Sequence, residues 1–237
     1  MDHYLINTTF SCQLSCSYCL LPHIKIKRIP EHTWREWAEA LCRHTPQGSL
    51  FDFAGGDPLL FNGLASLLLH LTEHGHRWAI TTNAISIEGT NELLRVRPGG
   101  CVLINVSDHP GNYNVGENIN RLAAVYPLVF NRVDHPNAGH RHDGRIATII
   151  PYQRWREGTE QDGIRRWCDS GQRHFVADPT GDVFRCNPAM ATAQKPIGNL
   201  FTDRTIHRPE PIICEQGCST CYTSDSGAWA VNMHEVA

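Results

Sequence analysis

The chain has 237 residues, a net charge of −3 and 41% hydrophobic residues, with no charged tail and no low-complexity tract. That length makes one domain, or one domain with an appendage, and provides enough chain for a substantial core. The near-neutral balance gives no basis for nucleic-acid or membrane-surface binding, no signal peptide or membrane span is predicted, and ten cysteines without an export signal predict a reducing, cytoplasmic setting.

In chain order, YLINTTF (4–10) reads as a strand that runs directly into a cysteine-rich loop. Trp34, Trp37, Ala38, Leu41 and Cys42 then recur at helical spacing. LFDFAGG (50–56) is a second strand, and Leu64, Leu67, Leu68 and Leu71 form a helical stripe that Gly75 stops. RWAITTNA (77–84) is a third strand, followed by a helix around 91–96. CVLINVSD (101–108) is a fourth, with Ile119, Leu122, Ala123 and Tyr126 as the next stripe. LVFNRVDHP (128–136) and RIATII (145–150) are predicted as strands five and six. Strands alternating with helices predict parallel β/α units, too few here for a closed eight-fold barrel but enough for a partial, open one. Functional residues of such folds sit where strands end, and each polar cluster of this chain falls there. Beyond 168 the pattern changes to a hairpin, RHFVADPTGDVFRC (173–186), with a turn at DPTGD, followed by a Pro-rich stretch. The predicted division is a barrel core over 1–155 and a small lobe over 156–237 that needs a metal cluster as a cross-link.

FSCQLSCSYCL (10–20) places Cys12, Cys16 and Cys19 on one short loop. Thiolates select zinc, copper(I) or iron–sulfur clusters. A structural zinc site takes four ligands, commonly as two Cys-x2-Cys knuckles, whereas this loop supplies three and no local fourth. Three thiolates on a [4Fe–4S] cube leave one iron open to a ligand from outside the protein.

The Cys12-x3-Cys16-x2-Cys19 motif at the end of strand one, with Tyr18 before the last cysteine, resembles the signature of the radical S-adenosylmethionine (SAM) superfamily. GGDP (55–58) resembles its glycine-rich strand-two motif, TTNA (81–84) its Thr-Asn-Gly-like strand-three motif, and INVSD (104–108) its ribose-facing segment. The resemblance implies that Cys12, Cys16 and Cys19 ligate a [4Fe–4S] cluster whose fourth iron is chelated by SAM. It places Tyr18, Gly55, Gly56, Asp57, Asn83, Ser107 and Asp108 around SAM, the glycines allowing close approach to the methionyl amine. Asp57 stands where glutamate is more frequent in the family, and Ala84 where glycine is usual. The implied chemistry is reductive cleavage of SAM to a 5′-deoxyadenosyl radical that abstracts hydrogen from a substrate, with flavodoxin or ferredoxin as electron donor.

The Cys168-x12-Gly181-x4-Cys186 pattern, followed by Cys214-x3-Cys218-x2-Cys221, resembles the SPASM and shorter twitch extensions that bind auxiliary iron–sulfur clusters. Two auxiliary clusters need about eight thiolates and five are available, so one is expected. Within the twitch pattern its ligands are Cys168, Cys186, Cys218 and Cys221. Cys214 is then left as a hydrogen-atom donor, which would make an epimerase, or as a ligand in a rival open loop; a zinc ribbon is the other use of these thiols. The layout is similar to that of the family's 2-deoxy-scyllo-inosamine dehydrogenases. A small biosynthetic substrate undergoing dehydrogenation is therefore expected, with the auxiliary cluster as electron acceptor. No peptide-binding domain is predicted ahead of strand one, which leaves peptide maturation or epimerisation as the alternative. A zinc-stapled binding module and an iron–sulfur electron carrier are alternatives of another class, and neither needs the GGDP and TTNA motifs. Asp-His-Pro steps recur after strands four and five and place His109, His135, His140 and His142 at the substrate mouth. His109 and His135 are the acid/base candidates, against a plain turn role. Cys42 and Cys101 read as core residues.

Overall fold

The computed structural model describes residues 2–16, 19, 32–107, 115–134, 148–151, 166–168 and 170–214. The expectations for Tyr18, Asp108, His109, His135, His140, His142, Cys218 and Cys221 lie outside the described residues.

Strand β1 (His3–Thr9), helix α1 (Trp34–His44), β2 (Leu50–Gly55), α2 (Leu64–Glu73), β3 (Arg77–Thr82), α3 (Ile87–Leu93), β4 (Cys101–Ser107), α4 (Gly116–Ala123) and β5 (Leu128–Asp134) alternate as expected, followed by β6 (Thr148–Pro151). Strands β1 to β6 pair in parallel in sequence order. Parallel pairing needs a crossover, and α1 to α4 supply one between each of the first five strands. All four helices cover one face of the sheet. Trp37, Leu41, Leu67, Leu68, Leu71, Leu93 and Leu122 form a single core there with Tyr4, Ile6, Phe51, Phe53, Trp78, Ile80 and Ile104. The capping box of α1 starts that helix cleanly, with the Thr33 side chain accepting from Glu36 N–H and Glu36 Oε2 accepting from Thr33 N–H at 2.7 Å. Helix α3 begins earlier than its apolar residues imply, because the Ser86 hydroxyl caps Gly89 N–H at 3.0 Å. Leu94 and Val96 belong to the turn beyond it.

Part of the chain after 168 returns to this sheet and part lies outside it. Strand β7 (Arg166–Cys168) pairs antiparallel with β11 (Ile212–Cys214) in a separate two-stranded sheet. Between them, β8 (His174–Ala177) joins the main sheet parallel to β1, and β9 (Asp182–Phe184) and β10 (Gly198–Asn199) add antiparallel edges, with the short helix α5 (Asn187–Ala191) between β9 and β10. The result is an open, mostly parallel nine-stranded α/β sheet of partial-barrel type. The expected hairpin is present: Asp178 Oδ1 accepts from Thr180 N–H at 2.9 Å and Asp182 N–H at 3.1 Å, closing the DPTGD turn. Among the described residues no helix is long and apolar enough to cross a membrane.

The face opposite the helices is the inner one. Register places Asn7, Asp52, Thr81, Asn105 and Asn131 on it, one polar side chain from each of the first five strands. All but Thr81 are buried.

Candidate functional site

The cysteine loop leaves β1 at Thr9 and is held by the turn after β2. Gly56 N–H donates to Thr9 O at 3.0 Å and Asp57 N–H to Ser11 O at 2.7 Å, which carries the sheet's hydrogen bonding one step into the loop. The two glycines make this approach possible. A Cβ on Gly56 would lie 2.6 Å from the carbonyl carbons of Phe10 and Ser11 and closer still to the Ser11 oxygen. A Cβ on Gly55, whose φ is 108°, would lie 2.6 Å from Thr9 O. The neighbours that require these glycines are thus the backbone of the loop that carries Cys12, a contact the sequence did not reveal.

Asp57 is fully buried. Its Oδ1 accepts from Leu59 N–H at 3.0 Å, capping a short 3-10 turn (Pro58–Leu60), and from the Thr82 hydroxyl at 2.8 Å. Its Oδ2 is buried and has no hydrogen-bond partner among the described residues. Burial pushes this carboxyl above the usual range, and the bonds from the Thr82 hydroxyl and from the Leu59 and Asn83 N–H groups pull it back.

Asn83 follows β3 directly. Its Nδ2 donates to Gln13 Oε1 at 3.1 Å and to Cys12 Sγ at 3.6 Å, while its Oδ1 accepts from Ile85 N–H at 2.9 Å. Ala84 has a φ of 59°, a left-handed conformation that costs alanine about 1 kcal/mol or more. Its N–H donates to the Thr82 hydroxyl at 3.0 Å and its carbonyl accepts from Asn118 Nδ2 at 2.9 Å. The turn survives the absence of glycine because both of its peptide groups are bonded.

Within the loop, Leu14 N–H donates to Cys12 Sγ at 3.4 Å and Cys19 N–H to Cys16 O at 3.0 Å. Although Cys12 reaches the surface, partial desolvation raises its thiol, the Leu14 N–H opposes this, and the charges of Asp57, Cys19 and Cys16 add to the rise. The structure therefore brings Cys12, Asp57 and Asn83 to one strand-end corner. Ser107 lies at the end of β4, in register with Asn131 on β5. Among the described residues no three His, Cys, Asp or Glu side chains converge on one point, as a single bound ion needs; thiolates on separate corners of an iron–sulfur cube have no such requirement. The soft donor set and the glycine-dependent seating of the loop fit a [4Fe–4S] cluster, and the unpartnered Asp57 Oδ2 fits a hydrogen-bond donor such as an ammonium group.

Of the second cysteine group, Cys168 is buried at the end of β7, and Cys214 closes β11 opposite Arg166. Cys186 precedes α5 and packs against the small core of Leu5, Val176, Phe184, Ala189 and Met190. Arg185 ties the three segments together, donating to Ser170 O at 3.3 Å and Glu210 O at 2.9 Å. Cys42 and Cys101 pack against the main core, and burial pushes the Cys101 thiol to about 12, as core thiols should behave.

One polar group escaped the sequence reading. The Thr81 hydroxyl donates to Asp52 and accepts from Asn105 Nδ2 at 3.4 Å, while Asp52 Oδ1 and Asn105 Oδ1 are buried without hydrogen-bond partners among the described residues. The signal was available: Asp52 and Asn105 interrupt apolar strands at the parity of the inner face.

Comparison with known proteins accords with this geometry. A profile described as the radical SAM superfamily matches residues 6–123, about half of the chain. A PqqA peptide cyclase of Streptomyces rochei is 30% identical over 94 residues, covering 38% of this chain and 26% of that protein. The chain matches only about a quarter of the length of that curated relative. Among solved structures, BtrN in complex with AdoMet and 2-DOIA aligns with a TM-score of 0.54 at 18% identity, over 84% of this chain and 78% of that one. An anSMEcpe with bound AdoMet and Cp18Cys peptide aligns at 0.59 and 13% identity, over 85% and 78%. Streptococcus suis SuiB bound to precursor peptide SuiA aligns at 0.51 and 15% identity, over 85% and 63%. At such identities the likeness is one of fold.

Proposed function

The chain belongs to the radical SAM superfamily, and from that premise we propose that it oxidises a small polar biosynthetic molecule by hydrogen abstraction. A [4Fe–4S] cluster and SAM, the family's cofactors, would supply the one-electron chemistry that abstracts hydrogen from the substrate. Cys12, Cys16 and Cys19 would hold the cluster. Gly55 and Gly56 seat that loop against the sheet, Asp57 faces the methionyl amine with its unpartnered oxygen, and Asn83 and Ser107 line the strand ends beside it, with Tyr18 and Asp108 as further contacts to SAM. Cys168, Cys186, Cys218 and Cys221 would hold an auxiliary cluster that takes the second electron from the substrate radical as it loses a proton, while an external donor such as flavodoxin or ferredoxin would supply the first electron to the loop cluster. His109 and His135 serve as acid/base groups, and Cys214 is a reserve hydrogen donor. The observation that carries this reading is the hydrogen-bonded seating of the three-cysteine loop on GGD and Asn83, which neither a zinc-stapled module nor a simple electron carrier needs.

A second reading, peptide maturation, is favoured by the PqqA peptide cyclase match and by the peptide-bound neighbours. Anaerobic reconstitution should give about eight irons per chain, four per cluster, and dithionite-reduced protein should convert SAM to 5′-deoxyadenosine. Cys16→Ala should abolish that conversion, whereas Cys186→Ala should leave uncoupled cleavage. A wild-type chain that carries four irons plus zinc sinks the auxiliary assignment; one that carries clusters but never yields 5′-deoxyadenosine sinks the function. Deuterium transfer into 5′-deoxyadenosine from labelled aminocyclitol, set against labelled peptide, separates the two readings.

A further inference from the structure

We infer that Asn83 is a positioning residue for the cluster's electronics: its side-chain N–H, aimed at Cys12 Sγ, raises the reduction potential of the cluster held by the loop. The inference rests on Cys12, Cys16 and Cys19 being the ligands, and it goes beyond a contact with SAM.

The orientation of the Asn83 amide follows from its partners. Its oxygen accepts the Ile85 N–H at 2.9 Å, so its NH2 group has to face the other way, toward the loop. There it meets two acceptors for its two hydrogens, Gln13 Oε1 at 3.1 Å and Cys12 Sγ at 3.6 Å. Asn83 itself is 4% exposed, which fixes its amide in place while the two acceptors reach the surface. The turn that delivers Ile85 N–H runs through the left-handed Ala84, which is bonded to Thr82 and through it to Asp57. Asn83 is therefore braced from two strands. The same sulfur also receives the Leu14 N–H at 3.4 Å, so Cys12 is approached by two N–H donors, one of them a removable side chain.

Hydrogen bonds to ligand sulfur stabilise negative charge on the cluster, and the reduced state carries one unit more. Removing the Asn83 donor makes reduction harder. For a bond of ordinary net strength the reduced-to-oxidised ratio at a fixed potential should fall about three- to tenfold, tenfold being about 59 mV for a one-electron couple. Asp is the sharper replacement. Asn83→Asp keeps an oxygen for Ile85 N–H and so keeps the turn, but it puts an acceptor where the donor was. Asn83→Leu removes both.

The test is a potentiometric titration of reconstituted full-length protein without SAM, read by electron paramagnetic resonance. The loop cluster is identified as the one whose signal changes when SAM is added. Midpoints in the order wild type, Asn83→Leu, Asn83→Asp, from highest to lowest, are expected. If Asn83→Leu fails to load iron, Asn83→Asp decides. Midpoints unchanged from wild type in a loaded variant overturn the inference, and an unchanged midpoint with a weakened SAM-induced shift reassigns Asn83 to SAM. If Cys12→Ala retains the SAM-responsive signal, the ligand assignment itself falls, and that failure is visible before any midpoint is compared.

Discussion

A carboxyl group on the inner face of a parallel sheet is costly when it is taken out of water, and Asp52 is buried there. Its partner is the Thr81 hydroxyl, and Oδ1 has none among the described residues. Burial pushes its pKa from 3.8 to about 7, against the opposing pull of Thr81. Between those values the folded chain keeps a proton that the unfolded chain has lost. Stability from this group is therefore full below about pH 4 and is lost as pH rises through about 7. At 1.36 kcal/mol per pKa unit the whole window amounts to about 4 kcal/mol at most. Asp52→Asn keeps the shape and cannot ionise. The variant should match wild type at about pH 4 and be more stable at pH 8 by a few kcal/mol, the gap opening between those two values, as measured by anaerobic denaturant titration. Curves for the two proteins that run parallel across that range would show that Asp52 is already charged in the fold.

At the scale of elements, the glycine pair after β2 shows both how far the sequence could be read and where it stopped. Alternation of strands and helices was legible because periods of 2 and 3.6 are local, and DPTGD announced its hairpin for the same reason. Partners were not: β8 lies beside β1 across 165 residues or more, parallel, with no turn to announce the pairing. The register that gathers Asn7, Asp52, Thr81, Asn105 and Asn131 on one face was likewise hidden, since each looks like a lone polar residue in its own strand. Beside the close approach to SAM that the resemblance implies for Gly55 and Gly56, the structure adds a second reason for both glycines, the loop backbone that lies against them. Because that neighbour is backbone, it cannot rotate away. Gly56→Ala should therefore displace residues 10–12, breaking the Gly56–Thr9 and Asp57–Ser11 bonds, and lower iron at the loop cluster several-fold while far-ultraviolet circular dichroism stays unchanged. Full iron loading in that variant would mean the loop tolerates a different seat.

For the whole molecule, the segment after β10 is bound into the barrel by Arg208. This half-buried guanidinium donates to Gln172 O, to Tyr4 Oη at 3.2 Å and to His44 O at 3.1 Å. It also lies 5.6 Å from the Tyr4 ring centroid and 5.9 Å from that of Phe175. Those residues belong to β1, β8, the end of α1 and the turn before β8, so one side chain fastens the returning chain to the first strand. His44 Nε2 adds a second tie at 3.1 Å from Leu200 O. Bonds from a charged donor contribute about 1.5–3 kcal/mol each, and a cation over aromatic rings about 0.5–1 kcal/mol, but they share one geometry and do not add in full. Arg208→Ala should cost about 2–4 kcal/mol. Arg208→Lys should recover only part, since a single ammonium cannot reach oxygens spread around a planar fork. The form of unfolding matters as much as its midpoint. If residues 174–210 and the barrel are one cooperative unit, the variant shifts a single transition seen alike by tryptophan fluorescence and circular dichroism. A new early transition, with the main one left at its wild-type midpoint, would instead mark the chain after β7 as a unit that folds on the barrel without supporting it.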